Sequence, residues 1–547
     1  MRPSYAKDAL LQQYAGLPVD ALRSPALLVD RKKVKHNCRE LLDAVQRAGL
    51  EARVHVKTHK TIEAALMQLG LDDDDKDKDK DNKDTVISAI MVSTLAEARA
   101  FAASGRFNDI LYAVPLSPDK IQEIHQLSQL VNKFHVFVDN DEIIDALERY
   151  AMAVGSAGTA AVNPSSAVSQ GLAGPPTEEP MFKAFLKIDT GYGRAGVPAS
   201  NASAIKLATR LHNSAHISFS GLYSHSGHSY SAPDIDAALS IVKHEVRETL
   251  ALAQLLRSLG VTAPHASVGA TPSVKALLQV AGAAREAVME ARLATARANE
   301  TLVTTADLAA EVARFALDDD DEDNNTKPSA APPPQETPSA TTTSSLAAQV
   351  NDAILHPVPG APSAPRDFRL EVHLGNYVFL DVQQHAGMPW PLERCAATVL
   401  SRVLSVYPER EEVLIDAGAL ALSKDGPGPR GAETFPGYGA VLFGNDSNKD
   451  NNDDTGTITT TTTTSNNNNN NNNNASSQRR PHLTVTRVSQ EHGVISTRAA
   501  AEEHNWRIGQ TLRIVPNHAC LAAANFEWYY VIEDGEVVDV WVPCRGW

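Results

Sequence analysis

The 547-residue chain is longer than one ordinary domain, and its 43% hydrophobic content suffices for large cores, so two folded domains plus insertions fit its length. Lys and Arg number 50 against 66 Asp and Glu, a net charge of −16, which argues against nucleic acid or an anionic membrane as the main partner. Met1-Arg-Pro-Ser-Tyr5 lacks a signal-peptide core, no apolar run nears the ~18 residues of a membrane span, and the scattered Cys38, Cys395, Cys520 and Cys544 form no disulfide pattern, so a cytoplasmic protein with reduced thiols is expected.

After a weakly patterned start, Ser24-Pro25 leads into a short buried strand, Ala26-Leu-Leu-Val-Asp30. An amphipathic helix follows through Val34, Leu41, Leu42, Val45 and Leu50, and then a β-compatible run, Glu51–Val56, that ends at Lys57. The Asp/Lys tract 72–84 reads as a solvated insertion. Beyond it, strands near 86–92, 110–114, 134–138, 182–188, 217–223 and 265–268 alternate with helical patterns, which indicates βαβ units and a parallel sheet. Adding the strand-like run 368–382 gives one candidate more than the eight of a (β/α)8 barrel.

The Ala/Gly/Ser/Pro segment 155–180 and the Pro/Ser/Thr-rich stretch 318–363 read as insertions, and an Ala/Leu-rich helical run covers about 274–317. After 382 the pattern is almost wholly β, interrupted by an Asn/Thr-rich insertion at about 445–480. The expected domains are therefore a barrel over 24–382 and a C-terminal β domain over 383–547, with or without residues 1–23.

Several strand ends carry chemistry. Lys57 lies in Arg53-Val-His-Val-Lys-Thr-His-Lys60 at the carboxyl end of a strand, where parallel α/β folds collect ligands, and a desolvated amine there can attack a carbonyl. Lys187-Ile-Asp-Thr-Gly-Tyr-Gly-Arg-Ala-Gly196 places a fixed cation, Arg194, in a glycine-rich turn. Gly221-Leu-Tyr-Ser-His-Ser-Gly-His-Ser-Tyr230 gathers Tyr223, Tyr230, His225 and His228, a density of polar rings that suits a flat heteroaromatic ligand. Ser267-Val-Gly-Ala-Thr-Pro-Ser273 can offer backbone and hydroxyl donors to a phosphate. His518 and Cys520 stand two apart in Pro516-Asn-His-Ala-Cys520; on an extended strand they would share a face and suit a zinc ion with open coordination.

These segments together resemble the fold-type III pyridoxal-phosphate enzymes, in the D-serine dehydratase and D-threonine aldolase branch. The octad resembles Arg-Pro-His-x-Lys-Thr-His-Lys with Val54 for the proline, and the second segment resembles Lys-x-Asp-x-Gly-x-x-Arg-x-Gly. The third resembles Tyr-x-His-x-Gly-His-x-Tyr, and the fourth Ser-x-Gly-Ser-Thr-Pro-Ser with Ala270 in place of serine. Glu371-Val-His-Leu-Gly-Asn-Tyr377 is similar to the Pro-Gly-Asn-Tyr turn, with Leu374 for proline.

The resemblance implies a (β/α)8 barrel followed by a β domain, pyridoxal 5′-phosphate bonded to Lys57, and a homodimer acting on a D-amino acid. It points to Arg194, Tyr223, Tyr230, Gly269, Thr271, Gly375 and Asn376 as cofactor contacts, with His225 and His228 behind them. It also makes His518 and Cys520 ligands of a catalytic Zn²⁺, and the softer thiolate favours zinc over a harder cation. The implied reaction is elimination from D-serine to pyruvate and ammonia, Lys57 taking the α-proton; the alternatives are a metal-dependent D-threonine aldolase and a non-catalytic cofactor-binding protein.

Overall fold

In a computed structural model, residues 6–48, 50–72, 89–160, 180–279, 369–385, 391–432, 435–442, 483–498 and 505–547 are described. The inserted tracts, except their edges, and the helical run past residue 279 lie outside them. Contacts divide the chain into two compact units, one made of 1–31, 381–386 and 397–540, the other of 32–380, 387–396 and 541–547.

Eighteen strands are described: β1 Ala26–Asp30, β2 Glu51–His55, β3 Ala89–Val92, β4 Asp109–Pro115, β5 Lys133–Val138, β6 Phe182–Asp189, β7 Val197–Pro198, β8 Ile217–Tyr223, β9 His265–Val268, β10 Arg369–Leu374, β11 Ala397–Tyr407, β12 Glu412–Ile415, β13 Gly439–Leu442, β14 Val485–Val488, β15 Gly493–Ser496, β16 Thr511–Pro516, β17 Tyr529–Glu533 and β18 Glu536–Trp541.

In the larger unit, β5, β4, β3, β2, β10, β9, β8 and β6 pair in that order, and a β5–β6 pairing closes the ring. The eight strands run parallel, with the two-residue β7 added outside β6. This is the expected (β/α)8 barrel. Helices follow the strands because their starts are capped: the Thr94 side chain accepts from the Glu97 N–H at 3.1 Å, and Asp234 accepts from the Ala237 N–H at 2.8 Å. Among the described residues, no helix is long and apolar enough to cross a membrane.

Residues two apart on a strand share a face, so the inward positions stack in layers. The lower layer is charged: Arg53 donates to Glu371 Oε1 at 2.9 Å and to Asp109 Oδ1 at 2.6 Å, and His135 bonds Ser220 Oγ at 2.9 Å. One step toward the carboxyl ends, Met91, Leu111, Phe137, Phe185 and Tyr223 form an apolar layer. The functional groups stand on that floor.

The ninth strand candidate, β1, belongs to the smaller unit, where it pairs antiparallel with β11 and parallel with β17. Here nine strands form one sheet around β11, which carries β1 and β16 beside its first half and β12 beside its second, with a bulge between Val403 and Ser405. The strand-like reading of 368–382 also shortens. β10 stops at Leu374, because Gly375 and Asn376 turn the chain and Leu380 takes a left-handed backbone at φ 56°.

Candidate functional site

Lys57 leaves β2 in a single 3-10 turn, Val56–Thr58. Its N–H reaches His55 Nδ1 at 3.3 Å, while the Lys60 N–H closes on the Val56 carbonyl at 2.8 Å. Lys60 ends the turn with φ 58° and pairs its amine with the buried Glu97 carboxylate. The turn that presents Lys57 is thereby fastened at both ends.

It opens onto a cavity of about 390 Å³ at the carboxyl ends of the barrel strands. Lys57, Arg194, Tyr223, Tyr230, Thr271, Gly375 and Asn376 all line it. Gly269 is not among the lining residues but sits one position before the lining Ala270, at φ +126°, and its carbonyl bonds His225 Nδ1 at 2.8 Å. His228 is set back from the cavity, stacked near Tyr192 at 6.1 Å.

The phosphate-type loop begins a helix over 271–279. The Ala270 N–H bonds Ser273 Oγ at 3.0 Å, and the Gly375 N–H bonds Thr271 Oγ1 at 3.3 Å, which joins the ends of β9 and β10 at one spot. At Gly375 a Cβ would lie 3.0 Å from the His55 backbone oxygen, so the missing side chain keeps that wall open. The Arg194 guanidinium lies over the Tyr192 ring, 4.9 Å from its centroid.

Tyr223 serves mainly as floor. Its ring stacks on His373 at 4.3 Å and 11°, and its hydroxyl meets Met91 Sδ at 3.5 Å. His373 in turn contacts Ser267 Oγ through Nδ1 at 3.0 Å, and Ser267 donates to Glu371 Oε1 at 2.8 Å.

Sequence reasoning passed over four of the lining groups as individuals. His55 and His373 flank the turns already singled out, and their inward position follows from strand alternation with Arg53 and Glu371. Lys187 was visible only as the first letter of a motif. Its amine lies 5.1 Å from the Tyr223 ring centroid and donates to the Ile188 carbonyl at 3.1 Å. Ser93 carried no signal.

The cavity is electropositive. Burial holds His55, His225 and His373 well below the usual imidazole range, with Lys57 and His225 adding to it at His55, Lys57, Lys187 and Arg194 at His225, and His225 and Lys187 at His373. Burial also pushes Lys187 down to about 8, against the attraction of Glu245. The imidazoles are thus neutral hydrogen-bonding groups near neutral pH, and an anionic ligand has cations to meet.

His518 and Cys520 come together in the smaller unit, though not on a strand as expected. β16 ends at Pro516, and His518 is the extended residue before a short helix, Ala519–Ala523, whose first turn carries Cys520. The bend forms because Asn517 turns its side chain onto the Asp425 and Gly437 carbonyls at 2.9 and 2.7 Å, while the Ala519 N–H bonds Asp381 Oδ2 at 2.8 Å. His518 Nδ1 bonds Asp425 Oδ2 at 2.6 Å. Against the pull of burial, Cys520, Asp381 and Asp425 raise the imidazole to about 10. Among the described residues, no group of three or more His, Cys, Asp and Glu could hold a metal ion, so His518 and Cys520 stand as a pair of donors.

Comparison with known proteins covers nearly the whole chain. The alanine racemase N-terminal domain matches residues 29–287, and a putative serine dehydratase domain matches 396–532. The chain is 26% identical to the D-serine dehydratase of Schizosaccharomyces pombe over 99% of its own length and 96% of that protein, and 27% identical to that of Dictyostelium discoideum over 97% and 98%. Among solved structures, D-threo-3-hydroxyaspartate dehydratase from Delftia sp. HT23 superposes with a TM-score of 0.61 at 22% identity, covering 97% of this chain and 100% of that one. D-threonine aldolase from Filomicrobium marinum gives 0.58 at 16%, with coverages of 100% and 98%. These likenesses establish the barrel and sheet architecture.

Proposed function

We propose that the chain is a fold-type III pyridoxal-phosphate enzyme, on its likeness to the alanine racemase N-terminal and serine dehydratase domains and to D-serine dehydratases, and that it is a lyase that converts D-serine to pyruvate and ammonia, the water eliminated first being taken back when the resulting imine is hydrolysed. The observation that carries this reading is the gathering of Lys57, Arg194, Tyr230, Thr271, Gly375 and Asn376 on one cavity, in a chain similar end to end to D-serine dehydratases.

Pyridoxal 5′-phosphate fits the residues present. The start of the helix over 271–279, with the Thr271 hydroxyl and the open face at Gly375, would receive the phosphate. Lys57 is the amine that would bond the aldehyde, Arg194 and Lys187 offset negative charge, and Tyr230 adds a polar edge. When bound, the cofactor supplies an electron sink for the carbanion left at Cα.

The chain's own part is to place and move protons. Lys57, as a free amine, would take the α-proton, and its fastened turn keeps that amine over the cavity. The neutral His55, His225 and His373 accept or donate hydrogen bonds without adding charge beside it. The apolar layer beneath, with Phe137 and the Tyr223–His373 stack, excludes water from below.

A zinc ion suits His518 and Cys520, an imidazole and a thiol in acidic surroundings. There it would supply Lewis acidity for a hydroxyl leaving group. Purified protein should be given D-serine, D-threonine and 3-hydroxy-D-aspartate separately. Pyruvate and ammonia in equal amounts from D-serine support the reading; glycine and an aldehyde as the main products would make the protein an aldolase instead.

A further inference from the structure

Asp425 belongs to no motif that the sequence offered, yet it makes the closest polar contact in the smaller unit's donor cluster. It lies in the turn Ser423-Lys-Asp-Gly-Pro-Gly428, where its N–H is held by Ser423 Oγ at 3.2 Å. Its carbonyl accepts from Asn517 Nδ2 at 2.9 Å, and its carboxylate accepts from His518 Nδ1 at 2.6 Å. Asn517 is the residue immediately before His518, so the chain that presents the imidazole also pins the loop that grips it. The Ala519 N–H on Asp381 fixes the following residue in the same way.

An imidazole has two nitrogens, and a carboxylate on Nδ1 keeps the hydrogen there. In the neutral ring that a metal would bind, the lone pair is then left on Nε2, the nitrogen away from Asp425. Such a carboxylate behind a ligating histidine sets the tautomer, fixes the ring plane and makes the far nitrogen a better donor.

We propose that Asp425 is the positioning residue of the zinc site: it locks His518 as the Nδ1–H tautomer, so that Nε2 and the Cys520 thiolate are the atoms that receive the metal. This rests on the zinc reading given above. Asp425 acts through His518 and does not itself ligate.

The test uses the full chain, stripped of metal and titrated with zinc against a competing chromophoric chelator, with metal content per chain measured independently. The wild type should bind zinc, and His518→Ala and Cys520→Ala should abolish that binding. Asp425→Asn should still bind, about 10–100-fold more weakly. Its metal-free melting temperature should stay near the wild-type value, because the Asp425 side chain is 42% exposed. Equal zinc affinity in the wild type and Asp425→Asn overturns the positioning role while leaving the zinc reading intact. A wild-type chain that takes up no zinc overturns the zinc reading, and this inference with it. Should the Asn variant melt lower, Asp425→Glu keeps the carboxylate and must recover affinity together with stability; recovery of stability alone overturns the proposal.

Discussion

The cavity at Lys57 and the cluster at His518 treat the same side chain in opposite ways. In both places burial favours the neutral imidazole. In the cavity the neighbours are Lys57, Lys187 and Arg194, so charge adds to burial and the rings stay neutral. At His518 the neighbours are Cys520, Asp381 and Asp425, and together they outweigh burial. The sign of a site is therefore set by which charged groups the loops deliver, since desolvation pushes the same way in each. One region is prepared for an anion and the other for a cation.

The hardest blow to this contrast is at Lys57. Lys57→Ala should lower turnover by roughly 10²–10⁴-fold or more and leave no cofactor attached after borohydride reduction, as read by peptide mass spectrometry. An adduct that persists on another lysine, Lys187 being the nearest rival, would reassign the covalent role.

Next comes the charged layer beneath. Arg53→Met strands the buried Asp109 and Glu371, at a cost of about 3–5 kcal/mol in denaturant unfolding at neutral pH. Against burial, Arg53 and His135 hold Asp109 well below the usual carboxylate range. A depressed folded value means the stabilisation is present above about pH 4 and lost as the pH falls through the folded value. In the variant the deficit should shrink on acidification, because the stranded carboxyls can then protonate.

Lys187 sharpens the comparison by titration. Its amine sits near 8, so it is cationic below that pH and neutral above it. The affinity of cofactor-free protein for inorganic phosphate should weaken severalfold as the pH rises past about 8, and Lys187→Met should flatten that dependence. A profile unchanged by the substitution would remove Lys187 from the cavity's charge. The last test is Asp381→Asn, which removes a charge and leaves one amide oxygen for the two backbone N–H groups, of Ala519 and Gln384, that the buried carboxylate accepts. Stability should fall by about 1–3 kcal/mol for the stranded N–H, while the His518 titration of metal-free protein, followed by NMR, should move down from about 10.

What was legible in the sequence follows from how local each signal is. Strand and helix alternation is a short-range pattern, and it gave the barrel; strand ends pointed to Lys57, Arg194 and Thr271, because loops after parallel strands open to one side, whereas Gly375 and Asn376 came only from the resemblance of their turn, inside a run that read as one strand. Ala26-Leu-Leu-Val-Asp30 was misleading because a fully buried strand reads alike in either sheet, and its partners are β11 and β17, several hundred residues away. His518 read as part of a strand because Val515-Pro516 is extended. The bend that follows depends on Asn517 finding two carbonyls in distant loops. Asp425 was invisible for the same reason: Lys-Asp-Gly-Pro is an ordinary turn until the imidazole arrives. Tyr223 shows a subtler limit, since its ring lines the cavity as expected while its hydroxyl turns down to Met91.

The position of β1 also bears on assembly during synthesis. This strand precedes every barrel strand in the chain, yet its parallel neighbour β17 begins at Tyr529. At about 5–20 residues per second, the ribosome needs on the order of half a minute or more to deliver that neighbour, whereas every barrel strand has been made once Leu374 is out. An early segment of bare Ala-Leu-Leu-Val must therefore be shielded in the nascent chain, and chaperone dependence should concentrate on the unit that matures last.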